Sequence, residues 1–298
     1  MGRSVVSLRF ARPRSVLRYF PRAVLARREA LLPEGTTIPR LDGEIERVGV
    51  DPGHLARYRE VCGFPEDDCL PVAYPHVLAM PLHIALLTQP AFIVRLMGLV
   101  HVANEIEWRR PLPAGGDYRL RSWVEGHEET DRGQEFLLFT ELLDEEGIAW
   151  TECCRLLARR RASGTQASRT ARASLKAPRA PDGVEVGSVK FHADHAMARR
   201  YGRVSGDLNP IHLADASARW YGFDRAVAHG MWSMARSIAA LGPAVTSEPC
   251  RIPVEFKLPL FLPAQVRLEH WRDGNRCTFV LRDDESSRPH LAGSIERG

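Results

Sequence analysis

The sequence predicts an α+β fold made of two similar halves, in each of which a long apolar helix is followed by antiparallel strands. Three observations lead to this prediction. An apolar run followed by strand-like alternating runs occurs in both halves of the chain. A stretch with almost no large apolar side chains, residues 159–182, separates the halves. Short segments also recur in the same order at a constant offset, which is typical of an internal duplication.

The first half begins with a predicted strand and a short predicted helix, at residues 44–50 and 54–61. A buried helix is predicted at 77–87, in which Pro81 is tolerated if the first turn starts near Met80. Strands are then predicted at 99–109, 118–128, 135–145 and 148–158.

The second half follows the same plan. Its apolar helix is predicted at residues 227–241, closed by Gly242 and Pro243. The other helical segments are predicted at 195–201 and 215–221, and the strands at 184–191, 251–258, 265–271, 276–282 and 290–295. At an offset of 148, residues 106–112 lie over 254–260 and residues 118–120 lie over 266–268.

The net charge of +4 is unevenly distributed, because two basic segments offset the negative charge of the rest of the chain. Residues 1–28 and 153–181 together hold sixteen basic residues and no acid, so the rest of the chain carries −12. A folded nucleic-acid-binding module presents a basic face, so this distribution does not favour a nucleic-acid-binding protein.

Because their basic residues lie together near the N-terminus, residues 1–40 are assigned as a basic N-terminal extension. Residues 1–28 are expected to contribute little to the core. The extension is either a transit peptide, if the source is eukaryotic, or an amphipathic segment packed on the first domain.

The six cysteines show neither a Cys-x-x-Cys pair nor a spacing to histidine that is typical of a metal site. They are predicted to be reduced thiols, and no metal is expected. No apolar run approaches the length of a transmembrane helix. The expected location is cytoplasmic, or mitochondrial only if the source is eukaryotic.

Two groups able to move protons, Asp207 and His212, lie five residues apart in a stretch rich in turn-forming residues. Such a stretch, 201–212, is not expected inside a helix, because proline lacks an amide hydrogen. A loop of this kind can direct a carboxylate and an imidazole at one small volume, as general acid–base catalysis requires. From spacing alone, ordinary turn residues remain the alternative.

The motif removes much of this ambiguity. It resembles the signature loop of the (R)-specific enoyl-CoA hydratases, the MaoC-like dehydratases, whose pattern is an aromatic residue and, a few residues later, Ser-Gly-Asp-x-Asn-Pro-ϕ-His. Every specified position is matched here, by Tyr201, Ser205, Gly206, Asp207, Asn209, Pro210 and His212. The resemblance implies a double hot-dog fold, in which two antiparallel sheets each wrap around a central apolar helix. The first half, 41–158, lacks the motif and is predicted to be degenerate, whereas 183–298 is predicted to be catalytic.

The resemblance also implies a reaction: reversible hydration of trans-2-enoyl thioesters of coenzyme A or acyl carrier protein to (3R)-hydroxyacyl thioesters, without a further cofactor. Asp207 and His212 would hold the water and move the protons, with the choice of base left open. Gly230 of Ala-His-Gly-Met would supply an oxyanion amide. Tyr201, Ser205, Gly206, Asn209 and Pro210 would support the loop.

Other assignments are less specific. Lys257 and Arg109 share a repeat position and either contact CoA phosphates or are simply solvated. The acyl chain is expected in the cleft between the two halves or beneath the first apolar helix, where Ala79 or Ala85 would limit its length. His76, His83 and His101 are interpreted as core or surface histidines. The partner expected is a second copy of the chain, in a homodimer of pseudo-dimeric chains. The alternative functions are a hot-dog acyl-CoA thioesterase and a non-catalytic acyl-thioester-binding subunit of a dehydratase complex.

Overall fold

The computed structural model describes residues 6–160 and 176–298. Its helices are α1 (Phe20–Leu25), α2 (Pro52–Cys62), α3 (Tyr74–Leu87), α4 (His195–Ser205), α5 (Asp215–Trp220) and α6 (Gly230–Ala240). Its strands are β1 (Val6–Phe10), β2 (Leu41–Gly49), β3 (Leu99–Trp108), β4 (Asp117–Val124), β5 (Glu128–Thr130), β6 (Gly133–Asp144), β7 (Gly147–Arg159), β8 (Gly187–Ala193), β9 (Cys250–Phe256), β10 (Ala264–Asp273), β11 (Arg276–Asp283) and β12 (Pro289–Arg297).

The predicted pair of sheets is joined edge to edge. The strand order is β1-β2-β4-β6-β7-β3-β9-β12-β11-β10-β8, with β5 paired to β6. The halves meet where β3 pairs antiparallel with β9, and there Glu105 lies opposite Pro253, its own counterpart in the sequence repeat. The repeat is thus expressed as a local two-fold relation between the halves. Apart from the parallel pair β1–β2, the described strand pairs are antiparallel.

Each half has one central helix. In the first half α3 is apolar around most of its circumference, as a buried helix should be, and it packs on β2, β4 and β6. The prediction that this helix begins near Met80 is wrong: it begins at Tyr74, with Pro75 in the first turn and Pro81 in the interior. Proline tolerates the first turn, and extensive apolar burial offsets the hydrogen bond lost at Pro81.

Helices α2 and α4 are built by the same local chemistry. The Asp51 and Asp194 carboxylates each accept a hydrogen bond from a backbone amide in the first turn, at 2.6 Å. Each helix ends at a glycine in the left-handed conformation, Gly63 at φ 77° and Gly206 at φ 76°. Because Gly206 sets the end of α4, residues 201–205 are helical, and the expectation of a non-helical stretch over all of 201–212 is wrong.

The two halves are tied together beyond the sheet. Helix α2 packs against α4 and α6. The indole of Trp232 donates to the carbonyl of Val61 at 2.9 Å, and Arg200 forms an ion pair with Glu60 at 3.0 Å. These contacts make the second half depend on the first for part of its burial.

The N-terminal segment contributes more than expected. Strand β1 extends the sheet beside β2, and Tyr19 is buried. The guanidinium of Arg28 donates to the carbonyls of Leu87 and Thr88, which lie at the end of α3. The expectation that residues 1–28 add little to the core is therefore wrong for 6–28. Of the predicted linker 159–182, residues 161–175 lie outside the described part of the chain.

No helix within the described residues is long and apolar enough to cross a membrane. All six cysteines are free thiols.

Candidate active site

The motif residues shape the loop that follows α4. The hydroxyl of Ser205 accepts the Asp207 amide at 3.2 Å, and the Asp207 carboxylate accepts the Asn209 amide at 3.1 Å. The side chain of Asn209 in turn accepts the Ile211 amide at 3.3 Å. These short-range bonds are typical of Asp, Asn and Ser in turns, and they fix the direction of the Asp207 carboxylate.

Asp207 and His212 face each other across a gap. Nε2 of His212 lies 3.8 Å from Oδ2 of Asp207. Nδ1 of His212 donates to the Val227 carbonyl at 2.6 Å, so in the neutral ring Nε2 is an acceptor. A separation of 3.8 Å is too long for a direct hydrogen bond and allows one water to donate to both atoms.

The surroundings favour the ionised form of Asp207. Burial raises the pKa of this carboxyl, but the histidines His212 and His229 and the amide of Asn209 outweigh burial and bring the pKa below its usual value. The side chain is 36% exposed and faces a cavity. Asp207 is therefore a proton acceptor at neutral pH.

His229 lies beside Asp207 and His212, although the sequence analysis named it only as the neighbour of Gly230. Its ring stacks on that of His212 with centroids 3.8 Å apart, and its Nε2 donates to the Asp207 carbonyl at 3.1 Å. Burial, reinforced by the nearby His212, lowers the pKa of His229 to about 3. The ring is thus neutral and braces both the loop and the imidazole of His212.

Gly230 is the first residue of α6, where amides lack partners within the helix. A Cβ at this position would approach the ring of Phe256 to 3.1 Å, so glycine permits close packing at the helix start. The amide dipoles there favour negative charge. Gly230 lines the same cavity as Asp207 and His212, which suits it to bind an oxyanion.

The other predicted residues are placed as follows. Tyr201 is buried with its ring 5.0 Å from that of His229, and the Pro210 carbonyl accepts the Ser217 hydroxyl at 2.7 Å. Lys257 lines the cavity and forms an ion pair with Glu255. Arg109 forms an ion pair with Glu107 at 3.2 Å and is not among the described residues that line the cavity.

The cavity is large, with a volume of about 1520 Å³. From the Asp207 loop it extends into the first half along one face of α3, which presents Met80 and Leu87, to Leu138 and Leu156 of the sheet. Its lining includes six arginines: Arg27, Arg28, Arg95, Arg132, Arg159 and Arg160. The arrangement suits a ligand with an apolar tail and an anionic head.

Residues 172–291 match the sequence model of the family described as MaoC like domain. The chain carries a MaoC-like domain. This match contains the whole loop from Tyr201 to His212 and the start of α6, and so accounts for the residues brought together above.

Similarity extends well beyond the MaoC-like domain. The chain is 28% identical over 265 residues to 3-hydroxyacyl-thioester dehydratase X of Mycobacterium tuberculosis, covering 89% of this chain and 92% of that protein. The crystal structure of HtdX of M. tuberculosis superposes with a TM-score of 0.73 at 27% identity, covering 86% of this chain and 99% of that one. A MaoC-like dehydratase from Phytophthora capsici, at 19% identity and a TM-score of 0.67, shares the fold over 86% of this chain and 95% of that one.

The half that precedes the MaoC-like domain holds a buried polar cluster that sequence reasoning missed. Nδ1 of His76 donates to Glu152 at 2.9 Å, and the amide of Asn104 donates to the same carboxylate at 2.7 Å. His83 is hydrogen-bonded through Nε2 to the hydroxyl of Thr140 at 2.7 Å. These partners are far apart in the sequence, so no local spacing indicated them.

Within residues 6–160 and 176–298, two groups of side chains have ligand atoms within 4.8 Å of one another, as a metal site would require: His76, Glu152 and Cys154, and Asp207, His212 and His229. In the first group, burial raises the pKa of the Cys154 thiol well above its usual value, which disfavours the thiolate that binds metals. In the second, His229 donates to a backbone carbonyl through Nε2, whereas its Nδ1 has no partner among the described residues. The absence of a cofactor stays a prediction.

Proposed function

We propose that this protein hydrates trans-2-enoyl thioesters reversibly to (3R)-hydroxyacyl thioesters. The observation that carries the proposal is the Asp207–His212 pair, held 3.8 Å apart and open to a cavity beside the start of α6. The MaoC-like domain supports a hydratase or dehydratase. The similarity to a 3-hydroxyacyl-thioester dehydratase over nearly the whole chain supports the thioester substrate.

Hydration requires a positioned water. With Nδ1 of His212 committed to Val227, the water donates one hydrogen to Nε2 and the other to the Asp207 carboxylate. As the water oxygen bonds to C3 of the enoyl group, one of these two groups takes its proton and the pair returns a proton to C2. The elements of one water are thus added across the double bond, and dehydration is the reverse.

The negative charge that develops during addition lies on the thioester oxygen. The amide of Gly230 donates to that oxygen, and the N-terminal dipole of α6 adds to the stabilisation. Where bound substrate displaces water from the cavity, this hydrogen bond becomes stronger than it would be at the surface.

The anionic part of the substrate is assigned to the cationic lining. Arg28 is bound to the carbonyls at the end of α3, and Arg132 and Arg160 form ion pairs with Glu135 and Glu129. The phosphates of CoA or the phosphopantetheine of a carrier protein are therefore assigned to other cationic groups of the lining, Arg27, Arg159 and Lys257, whose partner Glu255 is exposed. Arg109 lies away from this lining and is not needed for it.

Crotonyl-CoA tests the proposal. Purified protein should lower the enoyl absorbance to an equilibrium value without releasing free thiol, and chiral analysis should find the (3R)-hydroxy product. Release of CoA would indicate a thioesterase instead, while binding without turnover would indicate the non-catalytic subunit. An exclusively (3S) product would also contradict the proposal.

A further inference from the structure

Trp220 is exposed at the edge of the cavity. Among the described residues three large apolar side chains are exposed, and Trp220 is the most exposed of them at 88%. It is the last residue of α5 and lines the same cavity as Asp207 and Gly230. The other two, Leu17 and Val186, are not part of the described lining. A single exposed apolar side chain is ordinary on a protein surface, but at a substrate cavity an indole offers its ring faces to a ligand.

The backbone that carries Trp220 is fixed to the loop that carries Asp207. The Ser217 hydroxyl donates to the Pro210 carbonyl at 2.7 Å, and the Asp215 carboxylate, at the other end of α5, accepts the Ala226 amide at 2.8 Å. The indole itself is almost fully in solvent, so it can contact only the part of a ligand that leaves the cavity. That part is the head of the substrate, since the apolar wall along α3 lies inside the first half.

A guanidinium is held near the same opening. Arg159, the last residue of β7, is exposed, and its guanidinium carbon lies 5.5 Å from the centroid of the Phe223 ring, three residues beyond Trp220. Arg159 and Phe223 both line the cavity. Stacking on an aromatic face positions a guanidinium without neutralising it, so its hydrogen atoms and its charge remain available to an anion.

An exposed indole and a positioned guanidinium at one opening suit a nucleotide. Every base has a π-face that can stack on an aromatic side chain, and a guanidinium binds phosphate oxygens in pairs. The two possible carriers of the acyl group differ in this respect. Coenzyme A ends in an adenine nucleotide with several phosphates, whereas the phosphopantetheine arm of a carrier protein has one phosphate and no base. Only coenzyme A therefore uses both side chains.

We propose that the indole of Trp220 stacks on the adenine of coenzyme A while Arg159 binds the adjoining phosphates, so that the enzyme takes its acyl group from coenzyme A rather than from a carrier protein. The inference rests on the proposed function and names the carrier of its substrate. The two side chains come from different halves of the chain, so the nucleotide site, like the cavity, lies between the halves.

The kinetic test uses the full chain with crotonyl-CoA and with crotonyl-pantetheine, which has the same acyl group and arm but no nucleotide. Trp220→Ala should raise KM for crotonyl-CoA roughly ten-fold and change kcat little, because stacking is equal in the ground state and the transition state. Its kcat/KM for crotonyl-pantetheine should equal that of the native protein. Trp220→Phe should retain most of the affinity for crotonyl-CoA. Val186→Ala, an exposed apolar control outside the described lining, should change neither substrate.

Calorimetric titration with adenosine 3′,5′-bisphosphate tests the site without turnover. The native protein should bind this nucleotide, and crotonyl-CoA should compete with it. Trp220→Ala and Arg159→Ala should each weaken binding about ten-fold. The matched control for the arginine is Arg225→Ala, whose guanidinium lies 5.8 Å from the ring of Phe261 but is not among the described residues that line the cavity. It should bind the nucleotide as the native protein does.

The outcomes separate the nucleotide site from the reaction. If crotonyl-CoA is not turned over but the nucleotide binds through Trp220, the proposed reaction fails and the nucleotide site stands. If the native protein does not bind the nucleotide, or Trp220→Ala affects crotonyl-CoA and crotonyl-pantetheine equally, the site is overturned. The site is also overturned if Trp220→Ala impairs only a crotonyl carrier protein, or changes only the size of the particle in gel filtration. These results would show that Trp220 contacts a protein partner or a second copy of the chain.

Discussion

The two halves share a fold, but one histidine in the first half has both ring nitrogens hydrogen-bonded, whereas one in the second half has a single ring nitrogen bonded. In the first half, the ring of His54 accepts the Tyr74 hydroxyl at Nδ1 and donates to the Val204 carbonyl from Nε2, both at 2.8 Å. In the second half, His212 has a partner only at Nδ1, and its Nε2 faces Asp207 across 3.8 Å. The two histidines are not at equivalent positions, since His54 lies in the first turn of α2 whereas His212 follows α4, the counterpart of α2. The comparison teaches that acid–base chemistry requires a polar atom that is held in place and left without a direct hydrogen-bond partner.

The carboxylates differ in the same way. Glu152 in the first half is fully buried against His76 and Asn104, and its pKa is lowered to about 2 because these partners outweigh burial. Asp207 in the second half keeps one oxygen directed at the cavity. A carboxylate with every site occupied stabilises the protein, whereas one with an open site can exchange a proton.

The largest effect is expected at the acid–base pair. Asp207→Asn and His212→Ala should each lower kcat for crotonyl-CoA by roughly 10²-fold or more, because a general acid–base group is lost. The matched control is His54→Ala in the first half, whose ring has no free nitrogen and should cost far less. Steady-state kinetics, with circular dichroism to confirm folding, measure the difference. Similar losses of kcat in His54→Ala and His212→Ala would contradict the assignment of acid–base chemistry to His212 alone.

A smaller effect is expected at the two helix starts. Gly230→Ala places a Cβ 3.1 Å from the Phe256 ring, so the oxyanion amide must shift and kcat should fall about ten-fold or more. Gly53→Ala, in the first turn of α2, meets its neighbours only at ordinary contact distances of 3.4 Å and beyond. It should leave kcat nearly unchanged. Equal behaviour of the two variants would show that the Gly230 amide has no role in catalysis.

How far the sequence predicted the structure depends on the range of the interactions. The alternation of apolar and polar residues located strands such as β3 well, which was expected at 99–109 and spans Leu99–Trp108. Helix faces were harder: Ala79 and Ala85 are fully buried away from the cavity, and Met80 and Leu87 line it instead. Residues apolar on all sides give no periodic signal for which face meets a ligand.

The candidate site shows the same limit. The loop around Asp207 could be predicted because its hydrogen bonds join residues two apart in the sequence. The pairing of His76 with Glu152 joins residues 76 apart and has no local pattern. The irregularity in β3 between His101 and Ala103 depends on the register with β7, which one strand's sequence does not contain.

The buried pair of the first half should act on stability, with a definite pH dependence. Glu152 raises the pKa of His76 despite burial, so the contribution of His76 is complete below about 6.5, its ordinary pKa, and is lost as pH rises through the raised value. The lowered pKa of Glu152 makes its contribution complete above its ordinary value of 4.5 and lost as pH falls towards about 2. The pair is thus fully effective between these two ordinary values.

His76→Phe should therefore lower the free energy of unfolding by about 3–5 kcal/mol near pH 5.5, because it leaves a buried charge without its partner. The loss should be smaller at pH 9. Denaturant unfolding at the two pH values measures it. Arg47→Ala, which removes the exposed ion pair with Asp117, is the control and should have a much smaller effect at both. A loss that grows with rising pH would contradict the assigned charges.

The smallest effect on activity is expected from cutting the chain between the halves. Residues 159–182 are rich in arginine and poor in large apolar side chains, so limited trypsin should cut there first. The halves should stay together, because β3 and β9 pair at six positions and Trp232 donates to Val61 across the boundary. The nicked protein should give two bands on a denaturing gel but elute as one particle, with little loss of crotonyl-CoA hydration. Separation of the fragments, or loss of activity in step with cleavage, would show that the peptide connection itself holds the first half in place as a scaffold for the second.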